Sequence, residues 1–255
     1  LKPLLEKLPD TEQHFDVQSG TGKITGAKIW RSDGAFSYHI KGRLEETVAS
    51  YKNYMLTEGA AFFDIYNKNV SIKDFSGKIN DQSVSGHMEI DFTHADPGLL
   101  GQIDFSHAAV EKLFADSGIT GQITGPIHVG GTVSDPLIDG GLRIKNGNYK
   151  NLEIKDGKSE FSYYKNSVNV SSLEAHAAGG FVTGYGHYNM KDGYFNIHAV
   201  AEDCSLAQLP VESAMAGTVS GSLIAEGMYI NNELLSVQAS AEGKGNDISY
   251  RGNSA

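Results

Sequence analysis

Apolar and polar residues alternate along most of this chain. In FVTGYGHYNMKDGYFNIHAV (181–200) they change places on both sides of Asp192-Gly193. A period of two marks a half-buried β-strand, apolar on one face and wet on the other. Asp-Gly between two such runs predicts a two-residue type I′ turn. That turn pairs Met190 with Phe195, Tyr188 with Ile197 and Gly186 with Ala199 on the apolar side. It pairs Asn189 with Asn196 and His187 with His198 on the polar side. RIKNGNYKNLEI (143–154) predicts two strands around Asn146-Gly147-Asn148, and EFSYYKNSVNVSSL (160–173) a turn at Lys165-Asn166. At about ten residues per strand and turn, roughly two dozen strands are expected.

The alternation itself repeats. TGKITG (21–26) returns as TGQITG (120–125), an offset of 120 − 21 = 99, and as AGTVSG (216–221) a further 96 on. YKNYMLTEGAAFF (51–63) matches YKNLEIKDGKSEF (149–161) at offset 98, which persists through Phe63/Phe161, Val70/Val168, Val84/Val182 and Gly86/Gly184. A two-residue deletion at HADPG then brings Val110–Leu113 opposite Leu206–Leu209. The predicted organisation is a helix and lead-in strand (1–19), a first β unit (20–117), a second (118–212) and the start of a third (213–255), in one continuous elongated domain. Helical signal is confined to the junctions: LKPLLEKLPD (1–10), SHAAVEKLFADSG (106–118, with Ser106 as cap and Gly118 as terminator) and SLAQLPVESAMAG (205–217). Such short helices need the sheet to stand on.

Composition sharpens this picture. Thirty glycines in 255 residues with only six prolines fit many strands joined by tight turns. A net charge of −10 argues against nucleic acid and against adsorption to anionic headgroups. Cys204 is the sole cysteine, so no intrachain disulfide forms. The chain starts at Leu1 and shows neither a signal peptide nor a membrane span; it reads as a piece of a larger parent.

Candidate chemistry is thin. GTGKITG (20–26) superficially suggests a phosphate loop, but that motif needs a first Gly where Val17 stands and Ser or Thr where Ile24 stands. Its lysine also becomes Gln122 and Thr218 in the later copies. His187 beside His198 could hold zinc only if further ligands arrived; a polar outer face is the simpler reading, and no metal or cofactor is expected. Cys204 follows Glu202 and Asp203, an acidic setting that raises a thiol pKa. Serine-elbow and zinc-protease motifs are absent from the sequence, and an enzyme is not expected.

The residues expected to matter are apolar and inward-facing. They are Ile24, Ile123 and Val219 in the repeated strand, and Leu142, Ile144, Leu152 and Ile154 around the 143–154 hairpin. Phe161, Tyr163, Val168 and Val170 follow, then Tyr188, Met190, Phe195 and Ile197. The fold class is all-β: an elongated antiparallel sheet that either closes on itself or curls into a trough with an open apolar interior suited to acyl chains. Both versions use the same residues.

One phrase carries a resemblance. Val-Gly-Gly-Thr-Val-Ser-Asp-Pro (129–136), then Ile-Asp-Gly-Gly-Leu (138–142), then Asn-Gly-Asn-Tyr (146–149), resembles the repeat of the TamB family within the larger AsmA-like group of bacterial envelope proteins. The first unit departs from it, since RSDGAFSYHIKGRL (31–44) has no Asp-Pro. The resemblance implies a taco-like β trough in a periplasm-spanning protein anchored in the inner membrane of a diderm bacterium. It implies carriage of phospholipid acyl chains between inner and outer membranes. It also implies an alternative: a scaffold of the translocation and assembly module, aiding outer-membrane protein or autotransporter assembly through an Omp85-class partner. A surface adhesin or autotransporter stalk is a third reading of the β repeats.

Overall fold

The computed structural model describes residues 15–32, 34–51, 53–150, 152–209, 215–231, 233–250 and 253–254. The predicted first helix, 1–10, lies outside them. The chain folds as all-β, its strands following one another in chain order in an antiparallel sheet. By contacts it divides into two compact units. The first comprises the described part of Leu1–Ala108 with Pro126–Leu137, the second Ala109–Gly125 with the described part of Ile138–Ala255.

The first unit contains β1 (Phe15–Ser32), β2 (Ala35–Tyr51), β3 (Tyr54–Tyr66), β4 (Asn69–Ile79), β5 (Gln82–Asp91) and β6 (Gly98–Ala109). A one-turn helix, α1 (Val110–Leu113), and a 3-10 turn (Ala115–Ser117) lead into β7 (Ile119–Gly131). The second unit continues with β8 (Pro136–Tyr149), β9 (Leu152–Tyr164), β10 (Ser167–Ala177), β11 (Gly180–Asn189) and β12 (Tyr194–Ser205). After a 3-10 turn (Leu206–Gln208) come β13 (Met215–Ile230), β14 (Glu233–Tyr250) and the two-residue β15 (Asn253–Ser254). Fourteen strands of 10 to 18 residues and the two-residue β15 make fifteen among the described residues, fewer than the two dozen expected, because bulges let a strand run on where the sequence suggests a turn.

The internal repeat is built strand for strand. Adding 98 to the bounds of β3, β4 and β5 returns those of β9, β10 and β11, and adding 96 to those of β6 returns β12. Bulges recur with it: the register slips between Ile72 and Phe75 in β4 and between Val170 and Leu173 in β10. Two-residue turns close the hairpins where residues tolerate positive φ: Asn80-Asp81 (48° and 66°) and Lys165-Asn166 (48° and 64°). The second is the turn the sequence predicted.

Three local expectations are corrected. Asn146-Gly147-Asn148 is not a turn; Asn146, at φ 50°, is a kink within β8, and the hairpin closes where Tyr149 pairs Leu152. Ser106 caps no helix, because β6 runs through it to Ala109; Gly118 does end the helical segment, in the left-handed conformation. The Asp192-Gly193 hairpin is wider than a two-residue turn. Tyr188 pairs Phe195, Gly186 pairs Ile197 and His187 pairs Asn196, a slip of two residues from the expected register. Asn189 causes the widening: its carbonyl oxygen accepts from Gly193 N (2.8 Å) and its side-chain oxygen from Lys191 N (2.9 Å). A slip of two preserves which face each side chain occupies.

Little of the chain is core. The buried apolar residues are mostly alanines, joined by Val84, Val110, Leu113, Ile123 and Cys204. The accessible surface is 16266 Å², against about 11,000 Å² for a globular chain of this mass. A single sheet has no second layer to bury its apolar face.

Candidate functional site

The ladders settle which residues share a face. In the second unit, one row of cross-strand partners runs Ile138, Tyr163, Val168, Tyr188, Phe195, Gly227, Val237. The next runs Gly140, Phe161, Val170, Gly186, Ile197, Ala225, Ala239. The third runs Leu142, Ser159, Leu173, Gly184, Ala199, Leu223, Ala241. Three rows across seven strands carry three hydroxyls, those of Tyr163, Tyr188 and Ser159, and no charge. The first unit does the same with Ile40, Ile65, Val70, Ile90, Leu99 and with Gly42, Phe63, Ile72, Met88, Gly101. The opposite face is polar; there Arg43 meets Glu45 (3.0 Å), Lys78 meets Glu58 (2.6 Å) and Lys158 meets Glu174 (3.0 Å).

The apolar face of the second unit holds a groove of about 630 Å³. Val168, Val170 and Leu173 of β10 form one wall. Gly184 and Gly186 of β11, with Ala199 of β12, leave the floor without bulky side chains. Tyr188, Phe195 and Ile197 rise beside it, and Tyr229 and Leu234 extend it. Tyr188 donates its hydroxyl to the Tyr229 carbonyl oxygen (3.0 Å), so its ring lines the groove while its polar tip is satisfied. The Phe195 ring lies over Gly227, where a Cβ would sit 2.9 Å from its Cζ. Ile197 remains 44% exposed and Leu234 56%. Contiguous apolar surface of this kind is uncommon unless it meets a ligand or partner.

The expected site residues divide into four groups. Val168, Val170, Tyr188, Phe195 and Ile197 line the groove. Leu142, Ile144, Phe161 and Tyr163 share its face on β8 and β9. Ile154 pairs Ala177, Leu152 pairs Tyr149, Val219 pairs Cys204, and Ile24 pairs Gly42 in the first unit, where it is 63% exposed. Two do not fit a groove wall. Ile123 is 5% exposed, in the unit whose α1 residues Val110 and Leu113 are also buried; α1 is tied to β7 by Gly121 N donating to Glu111 Oε2 (3.2 Å). Met190 sits in the widened turn, not on a strand, because the hairpin closes two residues earlier than expected.

Leu173 was missed because strict alternation from Val168 and Val170 puts Ser172 on the apolar face. The bulge at Ser171-Ser172 brings Leu173 there instead. Tyr229 keeps the alternation of Leu223, Ala225 and Gly227, whereas the extra residue opposite it, Leu235 of β14, is what brings Leu234 to this face.

The polar candidates are accounted for. His198 pairs and stacks with Tyr185 (centroids 4.9 Å apart), so the expected His187–His198 pair does not form. No group of three or more metal-ligating side chains exists among the described residues. Cys204 is buried, its Sγ 3.7 to 3.9 Å from the carbonyl oxygens of Ala177, Phe181 and Glu202. Burial is the chief cause that raises its thiol pKa; the Glu202 backbone lowers it and the Asp203 charge adds to the rise. The Gly-Thr-Val-Ser-Asp-Pro phrase builds a loop: Ser134 N and Oγ both donate to Asp96, and Asp135 N donates to Thr132 Oγ1. The Ser134 bonds, with one from the Thr132 side chain, outweigh burial and hold the Asp96 carboxyl below its ordinary pKa. That motif is structural. No protein-family model, curated protein or solved structure matches this chain.

Proposed function

We propose that this chain is a segment of a periplasmic bridge that shields phospholipid acyl chains between inner and outer membranes, its parent anchored in the inner membrane. The observation that carries the reading is the groove of the second unit: about 630 Å³ set in three nearly all-apolar rows on an otherwise amphipathic sheet. It works by solvation, with no catalytic residue. Each methylene moved from water onto such a surface gains about 0.8 kcal/mol, while the headgroup stays in water. Sliding requires successive positions of similar affinity, and rows of like side chains, about 4.8 Å apart from strand to strand, supply them. Flat apolar walls with small-residue floors favour chain shape over headgroup identity, so the binding is unspecific for lipid class.

The test is a photocrosslinking residue at Ile197, with Lys158 on the polar face as control, illuminated in diderm cells and read by mass spectrometry. Phospholipid adducts at 197 and not at 158 are expected. Adducts at 197 to unfolded outer-membrane polypeptides would replace the reading with the assembly scaffold and its Omp85-class partner. Silence at both positions would overturn it.

A further inference from the structure

Strand alternation gives the second unit a further row of side chains on its polar face, at β11 and β12, where Tyr185, His187 and His198 also border the groove. Asn169, His187, Asn196 and Glu226 are successive cross-strand partners on β10 to β13. Asparagine is disfavoured inside strands. Elsewhere here it serves turns: the side-chain oxygens of Asn67, Asn80 and Asn189 each accept a backbone N–H. Asn169 and Asn196 lie within strands, each the third residue of its own, and among the described residues their amides bond to no other group of the protein. Beside this row Tyr185 stacks on His198 with ring planes 18° apart. Tyr185 is 53% exposed, and on its β10 side the bulge at Ser171-Ser172 leaves it without a ladder partner.

We propose that this face is a carbohydrate-binding surface, on which an uncharged or N-acetylated glycan lies across the strands with one sugar ring against Tyr185. A pyranose presents a C–H face, which the negative face of an aromatic ring attracts. Its hydroxyls need donors and acceptors together, which amides provide. Glu226 contributes an acceptor: one of its oxygens takes the Tyr194 hydroxyl at 3.3 Å, leaving the other. Strands spaced by about 4.8 Å offer one polar side chain for each sugar length. A net charge of −10 disfavours polyanions in the same place. The first unit, with the same ladder, lacks the feature: Ser71, Glu89 and Leu100 occupy the positions of Asn169, His187 and Asn196, and His87 that of Tyr185.

The experiment titrates the full chain with cellohexaose and with chitohexaose, read by saturation-transfer NMR and calorimetry. Saturable binding of at least one is expected. Tyr185→His and Asn196→Leu install the first unit's own residues, which an equivalent ladder already accommodates. Each should weaken binding by about tenfold, and together abolish it. Val237→Ala, on the opposite face and outside the groove, should leave glycan binding unchanged. No saturation with either saccharide, or undiminished binding by the double variant, overturns the proposal.

Discussion

The two units use one ladder for two surfaces. Position for position, Gly186, Ile197 and Ala199 of the second unit correspond to Met88, Gly101 and Ile103 of the first. Side-chain volume has moved between neighbouring strands without disturbing register, bulges or the apolar character of the face. Where β11 and β12 carry Gly186 and Ala199 the floor is bare and a groove opens; Met88 and Ile103 occupy the same places in the first unit. A cleft of about 530 Å³ in the first unit gathers Asp64, Ser71, Glu89 and Leu100, which share a row on the polar face, so it is not the counterpart of the groove. Backbone pairing sets the scaffold, and a few small residues decide whether it holds a ligand-sized hollow.

The sharpest way to break the comparison is to charge its repeated strand. Ile24 and Ile123 occupy the same place in TGKITG and TGQITG, yet one is 63% exposed and the other 5%. Ile123→Asp should cost about 3 kcal/mol or more, since it strands a carboxylate among apolar groups. Ile24→Asp should cost less than about 1 kcal/mol. Calorimetric melting of both variants checks this; equal losses would mean that the two copies are equally buried in solution.

A volume swap has the next largest effect. Ala199→Ile fills the groove floor with the first unit's residue, and binding of a fluorescent fatty acid should fall about tenfold. Ile103→Ala is the reciprocal change. It should cost about 1–2 kcal/mol of stability and raise fatty-acid binding by the first unit. If neither change alters binding, the hollow is not where chains lie.

The smallest effect is acid sensitivity. Burial raises the pKa of Asp64, but hydrogen bonds and charge from His39 (2.7 Å) and Lys41 (3.4 Å) outweigh it and hold the carboxyl below its ordinary value. A depressed carboxylate contributes stability above its unfolded pKa and loses it as pH falls through the folded one. The contribution is therefore present at neutral pH and fades below about pH 4. The second unit has Ser162 at this position. Asp64→Ser should flatten the acid limb of the stability curve by less than about 1 kcal/mol. An unchanged limb would assign the acid response to other carboxylates.

Much of this was legible because strand alternation and the repeat are local properties of the chain. The face of each hairpin survived even where the register did not. Tyr188 and Phe195 were assigned to the apolar side although the Asp192-Gly193 turn is wider than its dipeptide suggests, since an even slip preserves parity. Odd insertions were illegible. The single extra residue at Ser171-Ser172 transfers Leu173 to the apolar face, and nothing in the spelling of VNVSSLEAH announces it. Turns were legible where Lys165-Asn166 accepts positive φ, and misread at Asn146-Gly147, where the same preference serves a bulge.

The sequence by itself determined that this chain is all-β, that it repeats, and that each repeat has one apolar and one polar face, because side-chain polarity and turn preference act over a few residues. Only the tertiary structure decided which glycines stand side by side on neighbouring strands. It also decided that Ile123 is buried while its counterpart is exposed, and that two idle asparagines line up beside a tyrosine. Those facts depend on register and on bulges, which are fixed by pairing between segments and not by the spelling of any one of them.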